Sequence, residues 1–179
     1  MLIIAKNIQV NEGLSMRMRQ QVPLIRVSDM RDAQQMMDID ALVWNDCTAP
    51  EPMNWTSRED FLRHCEPGSQ LVAVVNDRLC GYVGFRCPTG ISGNRHVLEI
   101  NIAVHPDAQH QGIGKRLMHA MKERAVMDGV TKLRLRVLST NPSAIAFYER
   151  CGFVQEGRLV KEFFVGGRFV DDILMAYYL

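Results

Sequence analysis

The segment Val104-His-Pro-Asp-Ala-Gln-His-Gln-Gly-Ile-Gly-Lys-Arg-Leu117 sets a glycine-bearing loop between an apolar strand and an amphipathic helix. A chain that passes from strand to helix in this way leaves backbone N–H groups unpaired at the helix start. The helix dipole favours an anion at the same place. Gly112 and Gly114 let the backbone come close to a phosphate and take dihedrals that a Cβ resists. The loop therefore reads as a phosphate cradle at the carboxyl end of a strand, within an α/β architecture. It is not a Walker loop, because Arg116 follows Gly114-Lys115 where a magnesium-binding hydroxyl would stand. It also lacks the third glycine of a dinucleotide fingerprint. Taken alone, Gly-x-Gly before a helix fits a plain helix start equally well.

A second segment narrows the reading. In Leu133-Arg-Leu-Arg-Val-Leu-Ser-Thr-Asn-Pro-Ser-Ala-Ile-Ala-Phe-Tyr-Glu-Arg-Cys-Gly-Phe153 an alternating strand ends at Asn141-Pro142. Ser143 is placed to cap a short helix carrying Phe147 and Tyr148, and Gly152 to end it. The two segments together resemble the GNAT superfamily of acyl-CoA-dependent N-acetyltransferases. Gln109-x-x-Gly112-x-Gly114 is similar to that family's pyrophosphate-binding motif. Asn141, with Tyr148 seven residues on and then Gly152-Phe153, is similar to its second signature. The resemblance runs from about Leu71 to the C-terminus.

The pattern of elements agrees with this. Pro23 to Val27 reads as a strand, and a helix follows with Met30, Ala33, Met37, Ala41 and Trp44 spaced for one buried face. Thr56-x-x-Glu59 reads as a capping box for a second helix through Phe61, Leu62 and Cys65. A hairpin spans Leu71–Val75 and Leu79–Phe85 around Asn76-Asp77, and the strand Val97–Val104 feeds the loop. The helix from Ile113 sets Ile113, Leu117, Met121 and Ala125 on one stripe and ends near Asp128-Gly129. Strand Lys132–Leu138, the Tyr148 helix, and a last hairpin of Leu159–Val165 and Phe169–Leu179 around Gly166-Gly167 complete the chain. Hairpins flanking one long crossover helix argue for a mixed, mostly antiparallel sheet with helices on both faces, an α/β (α+β) fold. The resemblance implies a GNAT-like twisted sheet with splayed central strands over residues 23–179. Residues 1–22 carry no assignable pattern and stand as a separate arm.

Composition bounds the partners. The chain has 179 residues, most simply one domain, and a net charge of +1 makes no electrostatic case for nucleic acid or an anionic membrane. No apolar run is long enough to cross a bilayer. Five cysteines, odd in number and without a Cys-x-x-Cys pair, point to a reducing cytoplasmic setting. His64-Cys65 is the sole adjacent pair of His and Cys, so no metal is expected. An exposed edge near the last hairpin is a place for a homodimer to form.

The resemblance also implies roles. Backbone groups of Ile102, Ala103 and Val104 would pair with the pantetheine arm of acetyl-CoA as an added strand does. Gln109, His110, Gln111, Gly112, Ile113, Gly114 and Lys115 would hold the pyrophosphate. Asn141, Ser143 and Phe147 would line the arm. Tyr148 would serve the leaving thiolate as general acid, and Glu99 would serve as base with His96 as second choice. Some family members place a glutamate on the next strand, where this chain has Arg136. The residues themselves leave alternatives open: Tyr148 also suits packing against the sheet, and Glu99 also suits the solvated side of an alternating strand. The implied activity is transfer of an acetyl group from acetyl-CoA to a primary amine, on a small molecule or a peptide, by direct attack in a ternary complex. The rival reading is a non-catalytic acyl-CoA-binding sensor.

Overall fold

The computed structural model describes residues 22–179, and the N-terminal arm lies, apart from Val22, outside the described residues. Seven strands form one sheet: β1 Leu24–Val27, β2 Gln70–Val75, β3 Arg78–Arg86, β4 Val97–Val104, β5 Lys132–Leu138, β6 Val154–Val165 and β7 Arg168–Tyr178, in the spatial order β1-β2-β3-β4-β5-β7-β6. Every neighbouring pair is antiparallel except β4 and β5. The hairpins follow from local chemistry. Asn76 and Asp77 both take positive φ (50° and 60°), the left-handed pair that a two-residue turn needs to match strand twist.

The parallel pair organises the molecule. β4 and β5 pair at Val97↔Lys132, Leu98↔Leu133 and Glu99↔Arg134, and there the ladder stops. β4 continues to Val104 along β3, and β5 continues to Leu138 along β7. The central strands therefore splay, as the resemblance implied, and leave a gap in the middle of the sheet.

Two helical layers cover the sheet. On one face, α3 (Ile113–Met127) buries Ile113, Leu117, Met121 and Ala125, the stripe expected from its sequence, together with Met118. These meet Leu71, Val83, Leu98, Leu133 and Met175 in the main core. Leu117 is fully buried, and burying such a side chain contributes roughly 1.5–3 kcal/mol. On the other face lie α1 (Ala33–Val43) and α2 (Arg58–His64), packed on Val72, Leu79, Tyr82 and Ala103. α4 (Pro142–Arg150) closes the splayed end.

Local details differ from the sequence expectations in four places. The buried face of α1 is Ala33, Met36, Ile39 and Asp40, while Met30 and Ala41 are exposed. Met30 falls in a separate 3₁₀ turn, Met30–Asp32, so a stripe that starts from it is out of phase with α1. α2 is capped by Ser57, whose hydroxyl accepts from the Asp60 amide at 3.1 Å, one residue after the box expected at Thr56. α4 is capped by Asn141, whose Oδ1 accepts from the Ala144 amide at 3.2 Å; Ser143 instead donates to that same oxygen at 3.0 Å. Pro142 at the first helical position fixes this phase, because proline starts a helix readily and Asn141 then precedes it. Finally, β6 begins at Val154, well before Leu159, with register shifts that carry it past Lys161.

Candidate active site

The gap between β4 and β5 opens into a cavity of about 740 Å³. Strand alternation decides which β4 groups face it. His105 N–H bonds the Cys80 carbonyl, and the pairs Tyr82↔Ala103 and Gly84↔Asn101 share that phase. Ala103 thus spends its backbone on β3, while Ile102 and Val104 turn theirs to the gap. The expected backbone contacts divide accordingly: Ile102 and Val104 line the cavity, whereas Ala103 is buried in the α1–α2 core. The Val104 carbonyl already accepts from Gln109 Nε2 at 3.2 Å.

The glycine loop forms the next wall. Gly112 is the N-cap of α3 with φ 79° and supplies no side-chain cap, so the first amides of the helix stay unspent. A Cβ at Gly114 would crowd the Phe147 ring, standing 3.2 Å from its Cζ, so the bare glycine lets that ring lie close against the loop. Gln109, His110, Gly112, Ile113, Gly114 and Lys115 line the cavity. Gln111 does not; its Nε2 donates to the Asp107 carbonyl at 2.7 Å and ties the loop to the preceding turn.

α4 supplies the third wall with Asn141, Ser143, Phe147 and Tyr148. Tyr148 packs between Phe147 and Phe153, with ring centroids 5.4 and 5.9 Å away. Burial, reinforced by neighbouring Cys151, pushes its phenol well above the ordinary tyrosine value. Its hydroxyl bonds no described residue, and no described buried side-chain nitrogen or oxygen lacks a partner, so that hydroxyl opens on the cavity. The cavity also takes residues outside the sequence motifs, chiefly Leu42 and Val43 at the end of α1, Trp44, Asn45 and Thr48 just after it, and Arg136, Val137 and Arg150. Its charged lining is Lys115, Arg136 and Arg150; no carboxylate among the described residues lines it. A wall of three cations, free helix-start amides and an apolar floor suits a phosphate-bearing ligand with a long arm.

A second cavity of about 470 Å³ lies beside the first, on the α1–α2 face. Glu99 lines it, with Arg86 Nη2 at 2.6 Å and Arg134 Nη2 at 2.8 Å from its two oxygens. Burial alone would raise the Glu99 pKa; the two guanidiniums outweigh it and hold the carboxyl below its usual value. Such a group stays ionised but is a weaker proton acceptor than a free glutamate. His96 lines neither cavity.

Asp40, which carries no sequence motif, sits at the back of this cavity. Its Oδ1 accepts from Trp44 Nε1 at 3.0 Å and from the Tyr82 hydroxyl, and its Oδ2 accepts from Trp55 Nε1 at 2.7 Å. Trp44 lines the first cavity and Trp55 and Tyr82 the second, so one carboxyl fixes walls of both. Burial raises its pKa, and these three neutral donors offset only part of that. Cys65, beside it, is pushed up to about 11 by burial and by Asp40. Among the described residues no three or more His, Cys, Asp or Glu side chains gather as a metal-binding group, and no helix is long and apolar enough to cross a membrane.

Comparison with known proteins places this geometry. The family model described as "Acetyltransferase (GNAT) family" matches residues 34–153. The chain is 32% identical over 126 residues to the spermidine N(1)-acetyltransferase of Vibrio cholerae serotype O1, covering 68% of this chain and 73% of that protein. It is 26% identical over 141 residues to the L-amino acid N-acyltransferase MnaT of Escherichia coli K12, covering 78% and 80%. The fold is shared with a phosphinothricin acetyltransferase of Sinorhizobium meliloti solved in complex with acetyl-CoA, at a TM-score of 0.77 and 24% identity, covering 89% of each chain.

Asp40 generates a prediction about pH. Because burial raises its folded pKa, the folded state holds the proton more tightly than the unfolded chain does. That contribution is complete below the ordinary carboxylate value and is lost as pH rises through the raised one. Asp40→Asn cannot titrate. Urea unfolding from pH 7.5 down to pH 5 should therefore show the wild type gaining stability relative to Asp40→Asn; a constant difference would show that Asp40 titrates normally.

Proposed function

Because the chain belongs to the GNAT family of acetyltransferases and is an acyl-CoA-dependent N-acetyltransferase, we propose that it moves acetyl from acetyl-CoA directly onto the primary amine of a small zwitterionic acceptor, with both substrates bound at once. The observation that carries this reading is the meeting of the two cavities at a single residue, Asn101, on the splayed part of β4. One cavity suits a phosphate-bearing arm and the other suits a small polar molecule. Holding amine and thioester side by side removes much of the entropic cost of their encounter.

The chemistry then divides among groups already in place. The acceptor arrives as an ammonium and must lose a proton. Glu99, held ionised by Arg86 and Arg134, draws the ammonium in and passes its proton to water. The amine nitrogen then bonds to the acetyl carbon, and the Ile102 N–H, turned to the gap, donates to the oxygen as charge develops there. The carbon–sulfur bond breaks, and the thiolate ends as a thiol with the second proton lost by the nitrogen. Tyr148 steadies that thiolate by hydrogen bonding. Its raised pKa, far above that of a thiol, suits donation of a hydrogen bond better than outright proton loss. A route through acetyl-cysteine has little support: at a pKa of about 11, Cys65 is thiolate in only about one molecule in 10⁴ at pH 7. All five cysteines are free, in keeping with a reducing, cytoplasmic setting.

The acceptor class follows from charge. The second cavity carries Glu66 and Glu99 together with Arg63 and Arg86. An α-amino acid places an anion beside its amine and so matches a lining of mixed sign; a polyamine brings only positive charge to it. The E. coli relative acts by name on L-amino acids and the Vibrio relative on spermidine, so the two classes form the natural panel.

Thiol release from acetyl-CoA should be measured with L-methionine, L-phenylalanine and spermidine. Stimulation by the amino acids supports the reading. Stimulation by spermidine alone overturns the acceptor class, and stabilisation by acetyl-CoA with turnover of no amine favours the sensor. Acetyl-CoA at a hundred times its Kd should add about 2.7 kcal/mol of stability. Tyr148→Phe should lower kcat about 10²-fold with acetyl-CoA affinity unchanged, and an unaltered kcat removes its role. Glu99→Gln should lower kcat/KM for the amine while leaving the rise of rate with pH in place, because that rise reports the amine; a profile of unchanged height removes Glu99 from the reaction.

A further inference from the structure

One residue has a position that neither the motifs nor the comparisons single out. Asn101 is shared by the linings of both cavities, and no other described residue is. It lies two residues beyond the last β4–β5 pair, at Glu99↔Arg134, where β4 has left its neighbour. Its side chain falls on the same face as Glu99 and Ala103, by strand alternation. Directly across the ladder stands Gly84. The Asn101 carboxamide lies over that glycine so closely that a Cβ on Gly84 would overlap Oδ1, which is far nearer than the Nδ2 at 3.8 Å. Gly84 lines the second cavity alone, so the amide oxygen is turned to the acceptor side. Among the described residues the side chain makes no hydrogen bond, and it is exposed. The neighbouring polar groups on this floor are committed: Glu99 to Arg86 and Arg134, and Tyr82 to Asp40.

Resting on the direct-transfer reading above, we propose that Asn101 seats the acceptor. Its amide oxygen accepts a hydrogen bond from one N–H of the neutral amine and aims the nitrogen lone pair at the thioester carbonyl, and Gly84 is kept bare so that the amide can lie there. A neutral amide oxygen suits this place: it holds the amine without stabilising the ammonium as a carboxylate does, and so does not oppose the loss of the first proton. No bond is made or broken at Asn101. Its part is to hold the nitrogen that forms the new amide in reach of the arm in the first cavity.

The test is a double-mutant cycle on the full chain with L-methionine, or with spermidine if only spermidine is turned over by the wild type. Asn101→Ala should lower kcat/KM for the amine about 10- to 100-fold, the loss expected for one hydrogen bond made in the site, with acetyl-CoA affinity within about threefold of wild type. Gly84→Ala should cost a similar factor in the wild-type background, because its Cβ displaces the amide. In the Asn101→Ala background the same change should cost under about threefold, since nothing is left to displace. Thermal unfolding of each variant separates loss of fold from loss of function, and Asn101→Ala adds no atoms and stands alone if Gly84→Ala does not fold. Unchanged kcat/KM in Asn101→Ala, a parallel fall in acetyl-CoA affinity, or a Gly84→Ala cost undiminished in the double variant would each overturn the assignment. If the wild type acetylates no amine, the transfer reading falls and this inference falls with it; an active wild type with an indifferent Asn101→Ala overturns this inference alone.

Discussion

The site depends on the parting of β4 from β5. Two adjacent strands that stop pairing leave backbone groups unsatisfied, which is costly when buried. Here the cost is limited because each strand keeps its other neighbour. β4 stays paired to β3 through Val104, and β5 stays paired to β7 from Lys132 to Leu138. Only the inward-facing groups are released, Ile102 among them, and those face the cavity. At the last shared pair, Arg134 bridges to Glu99 across the two strands and marks where the ladder ends. The same divergence therefore makes the gap, exposes the groups that can bind in it, and leaves a carboxylate at its rim.

Charge separates the two halves of the site. The cavity under the glycine loop presents Lys115, Arg136 and Arg150 without a carboxylate among its described lining, and Arg136 is itself steadied by the buried Asp172. The neighbouring cavity mixes both signs. A polyanionic arm and a small zwitterion would thus sort themselves by electrostatics before contacts of shape apply. Asp40 joins the halves mechanically. Through Trp44, Trp55 and Tyr82 it pins the end of α1, the loop that follows and β3 to one carboxyl.

Much of this was legible in the chain. The α3 stripe, the bounds of β4 and β5, the two-residue turn at Asn76-Asp77 and the αL glycine at Gly112 all follow from local rules. Where reading by pattern slipped, the slip was of phase. The cap of α2 is Ser57 and not Thr56, the cap of α4 is Asn141 and not Ser143, and Met30 belongs to a 3₁₀ turn out of phase with the α1 face. In each case several polar residues adjoin, and the rule that one of them caps does not say which.

The sequence by itself determined the architecture, the glycine loop that starts α3 and the tyrosine of α4, because these rest on residues close together in the chain whose spacing is set by helix and strand periods. The tertiary structure alone decided that Glu99 is clamped by Arg86 and Arg134, that Asp40 gathers two tryptophans and a tyrosine, that Ala103 turns from the gap while Ile102 faces it, and that Asn101 stands over Gly84 between the cavities. Each of these joins residues brought together by strand order and register. A pairing shifted by one residue would turn every such side chain to the opposite face, and no local pattern encodes which partner then stands across the ladder.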